Sequence, residues 1–154
     1  MNILRSSRLV VFGGKMKTDE ILNLDYRKEE NKEIIQKVLR KIKPLSKFSE
    51  ESNIPIEAIE KVIHVMVNKY EITPQWLTIS YHEQDVNLYS ISVKTSNTHK
   101  WLGNVYGVYL YEVFAKLAIK IYSEIKSGKI PEREKSKEAK QRERIIKEIK
   151  KGGG

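Results

Sequence analysis

Hydrophobic positions recur at helical spacing in three stretches of the chain and alternate with polar ones in a fourth. Over residues 28–43, Ile34, Ile35, Val38, Leu39 and Ile42 form a stripe separated by Lys and Glu, which predicts an amphipathic helix. Pro44 ends it, because the residue before a proline is pushed out of the helical region. A short helical turn is expected over 45–52. From Asn53 onward Ile56, Ile59, Val62, Ile63, Met66, Val67 and Tyr70 mark a second helix, with Pro55 suited to its first turn and Thr73-Pro74 closing it. The period then changes to two: Leu77, Ile79 and Tyr81 alternate with polar residues, and so do Tyr89, Ile91 and Val93. A hairpin turning at 83–87 pairs Tyr81 with Tyr89, Ile79 with Ile91 and Leu77 with Val93 on one face. Beyond a polar loop at 95–100, residues 101–107 offer a short third strand. Residues 110–125 make the strongest helix, with Leu110, Val113, Phe114, Leu117, Ala118, Ile121 and Ile125 turned inward onto the hairpin.

The fold class this predicts is α+β: a helical N-terminal layer, an antiparallel hairpin or small sheet, a long C-terminal packing helix and a basic helical tail. A chain of 154 residues less a polar tail has room for one core. The expected organisation is a basic arm at 1–17, one domain at 18–126 and a tail at 127–154. Ser127-Gly128 and Pro131 punctuate the boundary. From Glu132 on, Ala139, Ile145, Ile146 and Ile149 are the only apolar residues before the glycines, so a helix there would be marginal in isolation.

Charge changes the picture by its placement. Residues 126–151 carry eleven Lys/Arg against five Glu, and residues 1–17 carry four basic residues and no acid. Of the net charge of +9, the segment 18–125 contributes −1, so the body is neutral and the ends are basic. Basic ends of this kind meet polyanions without disturbing a core. The expected contacts are Arg5 and Arg8 in the first arm and Lys135, Lys137, Lys140, Arg142, Arg144, Lys147, Lys150 and Lys151 in the tail. Lys100 and Trp101 join them, since a tryptophan with a basic neighbour is typical of interface anchors. The expected partner is RNA or DNA, bound through its phosphates within a larger nucleoprotein assembly. The alternative is an acidic protein surface in a viral or organellar particle, which the five Glu of the tail favour.

Aromatic residues concentrate over 76–111, which holds seven of the thirteen. Exposed beside basic residues they stack single-stranded bases, whereas inward strand positions such as Tyr81 and Tyr89 belong to a core.

The segment 48–63 resembles a helix-turn-helix: Phe48, Ile54, Ile59 and Val62 fall where that motif buries apolar residues, and Asn53 stands at the usual turn glycine. Its reading helix would set Glu57 and Glu60 toward phosphates, which is the wrong chemistry for groove reading. From Pro55 to Ile125 the order of elements is similar to a double-stranded RNA-binding domain. That family carries a lysine cluster at the start of its last helix, where this chain has Val108-Tyr-Leu-Tyr-Glu112, so the resemblance implies a fold and not a function.

Catalytic chemistry is not expected. His64, His82 and His99 are scattered, there is no cysteine, and no cofactor motif is present; Gly103-Asn-Val-Tyr-Gly107 lacks the later glycine and lysine of a phosphate loop. Glu83, Asp85 and Lys94 resemble part of a nuclease carboxylate set, but Ser92 stands where the second carboxylate belongs. No apolar run approaches a membrane span, and the absence of cysteine favours an intracellular setting. Residues 1–12 share the composition of organelle transit peptides, although a short arm closed by Gly13-Gly14 is the preferred reading.

Overall fold

The computed structural model describes the backbone over residues 16–81, 86–134 and 137–152, and side chains over 16–75, 88–134 and 141–152. Helix α1 spans Thr18–Leu22, α2 Glu29–Leu39 and α3 Ile56–Lys69. Strands β1 (Ile72–Tyr81), β2 (Val86–Thr95) and β3 (Trp101–Gly107) follow, then α4 (Leu110–Lys126) and α5 (Lys137–Gly152). The strands form one antiparallel sheet in the order β1-β2-β3. The chain is an α+β protein, as its periodicities predict.

The centre of the molecule is α4. Its residues from Glu112 to Ile121 are buried apart from Phe114, which is half-buried, because α1, α2 and α3 pack on one side and β2 and β3 on the other. Val113, Leu117 and Ile121 meet the core built from Ile35, Leu39, Ile59 and Val62 of the helices and Ile91, Val93 and Val105 of the sheet. Leu110, expected inside, is exposed at the first position of the helix.

Three expectations are corrected. The segment 46–53 forms turns, with a 3₁₀ turn at Lys43–Leu45 in place of a helix over 45–52. Arg40 takes the carbonyls of that segment, donating to Phe48 O at 3.2 Å and to Ser49 O and Ser52 O. The first helix of a helix-turn-helix is therefore not formed ahead of Asn53. Second, Thr73-Pro74 does not close α3, which ends at Lys69; both residues lie inside β1. Proline is tolerated there because β1 is an edge strand whose outward N–H groups need no partner.

Third, the hairpin register differs. Ile91 stands opposite Trp76, Val93 opposite Pro74 and Tyr89 opposite Thr78, while Leu77 stands opposite Ser90. The shift from the expected pairing is odd, so Leu77, Ile79 and Tyr81 take register positions on the face opposite to Ile91 and Val93. Ile72, fully buried and paired with Thr95, sets the phase of β1. The hairpin turn at 82–85, with Glu83 and Asp85, lies outside the described residues.

The chain remains on the body well past α4. Ile130 is buried, Glu71 N donates to Pro131 O at 2.9 Å and Arg133 N donates to Lys69 O at 2.8 Å. The Arg133 guanidinium then donates to Val67 O (2.7 Å), Ile72 O (3.1 Å) and Ser96 Oγ (2.8 Å), clamping the α3–β1 corner to the loop after β2. Replacing Arg133 with alanine is expected to lower stability by about 2 kcal/mol, the scale of losing several partly buried charged hydrogen bonds. Urea unfolding of the variant and the parent measures it.

Candidate nucleic-acid interface

Two surfaces hold the residues expected to meet a partner. The first is the sheet face turned away from α4. Strand alternation places Trp101, Asn104 and Tyr106 of β3 there, because a register shift between Val93 and Lys94 lets Trp101 pair with Lys94 while Asn104 pairs with Ser92. Gly103, between them, has φ +116°, a conformation glycine adopts without strain. Trp101 is 65% exposed and Tyr106 44% exposed. The Trp101 indole Nε1 donates to Asn104 Oδ1 at 2.9 Å, and Asn104 Nδ2 donates to the Tyr106 hydroxyl at 3.1 Å.

The loop that delivers Trp101 is closed by its own hydrogen bonds. Thr95 N donates to Lys100 O at 2.8 Å, Lys100 N donates to Thr95 Oγ1 at 2.9 Å, and the Thr95 and Thr98 hydroxyls lie 2.6 Å apart. His99 completes the turn at φ +54°, a left-handed conformation uncommon outside glycine. Lys100 is exposed beside it.

Ser90 stands opposite Tyr106 in the ladder, and its hydroxyl is buried with no hydrogen-bond partner among the described residues. Such a group carries a desolvation penalty without return. Ser90→Ala is expected to raise stability by about 1 kcal/mol in chemical unfolding.

The second surface is α5. Arg142, Arg144, Lys147, Lys150 and Lys151 are all exposed. At 3.6 residues per turn, Lys137, Lys140, Arg144, Lys147 and Lys151 follow one line along the helix, at successive spacings of three and four. Their Cα positions cover about 21 Å of axis. Arg142 and Lys150 lie off this line. Ile145, Ile146 and Ile149 occupy the opposite side and are exposed. Arg5, Arg8 and Lys135 lie outside the described residues.

The remaining ionic groups near the sheet are structural. Glu112 and Lys116, both almost fully buried, bond at 2.7 Å; Lys116 Nζ also donates to Leu24 O at 2.9 Å, and Glu112 Oε1 accepts from Val108 N at 2.8 Å. Nearby, Gln36 Nε2 donates to the Tyr111 hydroxyl at 2.7 Å while Gln36 Oε1 accepts from Ile54 N at 2.9 Å. Burial pushes the Tyr26 phenol up to about 12 and raises that of Tyr111, so both phenols keep their protons at neutral pH. Among the described residues no three His, Asp or Glu side chains gather into a metal site, and no helix is long and apolar enough to cross a membrane.

Lys100, Trp101 and the described basic residues of the tail, singled out in the sequence, are exposed. Asn104 and Tyr106 share the face of Trp101, and alternation from Trp101 across a Gly-containing bulge is the signal in the sequence for it.

The fold and its two surfaces define a small α+β protein whose open three-stranded sheet is packed by helices on one face and exposes Trp101 and Tyr106 on the other. No family model, curated protein or solved structure matches the chain.

Proposed function

We propose that this protein is a non-enzymatic, intracellular component of a nucleoprotein assembly that contacts RNA or DNA phosphates through its basic termini. The observation that carries the reading is the basic line on α5, where Arg144, Lys147 and Lys151 are exposed and Lys137 and Lys140 continue their spacing. Lysine and arginine along one side of a helix neutralise successive phosphates and release their counterions, which gives sequence-tolerant, salt-dependent binding. Arg5 and Arg8 are the second arm in this reading. The test is affinity for RNA and DNA at two salt concentrations, for the parent and for a variant with the five aligned basic residues changed to glutamine. Equal affinities and equal salt dependence would count against it.

A second reading is favoured by Ile145, Ile146 and Ile149, three exposed isoleucines on the opposite side of the same helix. A helix with an apolar side and flanking charges docks into a groove of a partner protein. A complex of that kind survives nuclease treatment, whereas one held by the basic line does not.

A further inference from the structure

The basic line of α5 accounts for affinity but leaves the outer sheet face unused. We infer that Trp101 and Tyr106, held by Asn104, form a stacking platform for the bases of a single-stranded nucleic acid. The inference rests on the nucleic-acid reading above and names its ligand class.

The rings are large, exposed and aromatic on a face where strand alternation ordinarily leaves polar side chains to the solvent. Hydrogen bonds from Trp101 Nε1 to Asn104 and from Asn104 to the Tyr106 hydroxyl fix both side chains before a ligand arrives. The closed 95–100 loop fixes the backbone behind Trp101 in the same way. Preorganised rings lose little conformational freedom on binding, which is the condition for stacking to yield affinity. A Tyr106 hydroxyl that accepts from Asn104 keeps its own proton to donate to a phosphate or a base edge.

Charge selects the occupant. Lys94 pairs with Trp101 across the ladder and the exposed Lys100 precedes it in sequence, so a basic residue adjoins Trp101 in the ladder and another along the chain. On this face the register positions are 73, 75, 77, 79 and 81 of β1, 86, 88, 90, 92 and 94 of β2, and 101, 104 and 106 of β3; none is Asp or Glu. None of these register positions sets a carboxylate against an acidic ligand. Duplex bases are already stacked on each other and cannot lie on the rings, whereas unpaired bases can.

The experiment titrates the full chain with labelled oligo(U), oligo(dT) and a mixed-sequence duplex, each of roughly 12 nucleotides, a length within the range of single-strand sites. A Trp76→Phe background leaves Trp101 as the reporting indole. Stacking is expected to change its emission on adding either single strand and not the duplex. Trp101→Ala and Tyr106→Ala should each weaken single-strand binding on the order of tenfold, with duplex binding unaltered, and Trp101→Phe should retain most of the affinity. Oligo(U) and oligo(dT) decide between RNA and DNA as the better ligand.

The inference is overturned if Trp101→Ala binds single strands as the parent does, or if it weakens single strand and duplex equally. If glutamine substitutions in α5 abolish binding while Trp101→Ala does not, the platform fails and the basic tail stands. If the parent binds no nucleic acid at low salt, both fail together.

Discussion

Glu112→Ala is expected to destabilise the fold by about 3–5 kcal/mol, the cost of breaking a buried ion pair by removing one partner. The Lys116 side chain is 4% exposed and would be left with only the Leu24 carbonyl as its described partner. At the same time Val108 N and Tyr109 N, which donate to Glu112 Oε1 at 2.8 and 3.4 Å, lose their acceptor at the start of α4. A domain has about 5–15 kcal/mol in total, so this single change removes a large share of it. The double variant Glu112→Leu, Lys116→Met is expected to be more stable than Glu112→Ala, because no charge is then left unpaired. Urea unfolding followed by far-UV circular dichroism gives both numbers, and a loss below about 1 kcal/mol in the single variant would show that water reaches the pair. The consequence extends to the sheet. A Cβ on Gly107 would sit 3.1 Å from the Glu112 carboxyl, so the end of β3 is packed directly on this pair. Loosening it disturbs the end of β3, the strand that carries Trp101 and Tyr106.

Which parts of this were legible follows from what sets each feature. Helices α3 and α4 are set by apolar stripes that bury Ile59, Val62, Ile63 and Met66 on one and Val113, Leu117 and Ile121 on the other, and stripes are written in the sequence. Strand register is set by which of two phases reaches the core. With Thr73-Pro74 taken as a stop, Ile72, the buried residue among the described side chains of β1, drops out and Leu77, Ile79 and Tyr81 are left to choose the phase. The burial of Glu112, Lys116 and Lys120 was hidden because charges on a helix are normally solvated. Their i,i+4 spacings, Glu112 to Lys116 and Lys120 to Glu124, were the available signal. Counting the tail as net charge concealed its order: only once α5 is a helix do five of its basic residues fall on a line and three isoleucines on the other side.

Converting Lys137, Lys140, Arg144, Lys147 and Lys151 to glutamine is expected to flatten the salt dependence of binding and to lower affinity at low salt by about 100-fold or more. For single strands each neutralised phosphate contributes about −0.7 to the slope of log affinity against log salt, so five contacts give about −3.5. A fourfold rise in salt then weakens the parent on the order of 100-fold, and the variant far less. Substitution is the right perturbation here, because a cut at Lys126 would also remove Ile130 and the Arg133 clamp and would confuse binding with folding. A truncation that serves the same purpose must keep the chain through Glu134. The control is Ile145, Ile146 and Ile149 changed to serine, which leaves the basic line intact and should leave both affinity and slope unaltered. If instead the isoleucine variant loses a partner from a nuclease-treated complex while the glutamine variant keeps it, the apolar side of α5 is the working face and the partner is a protein.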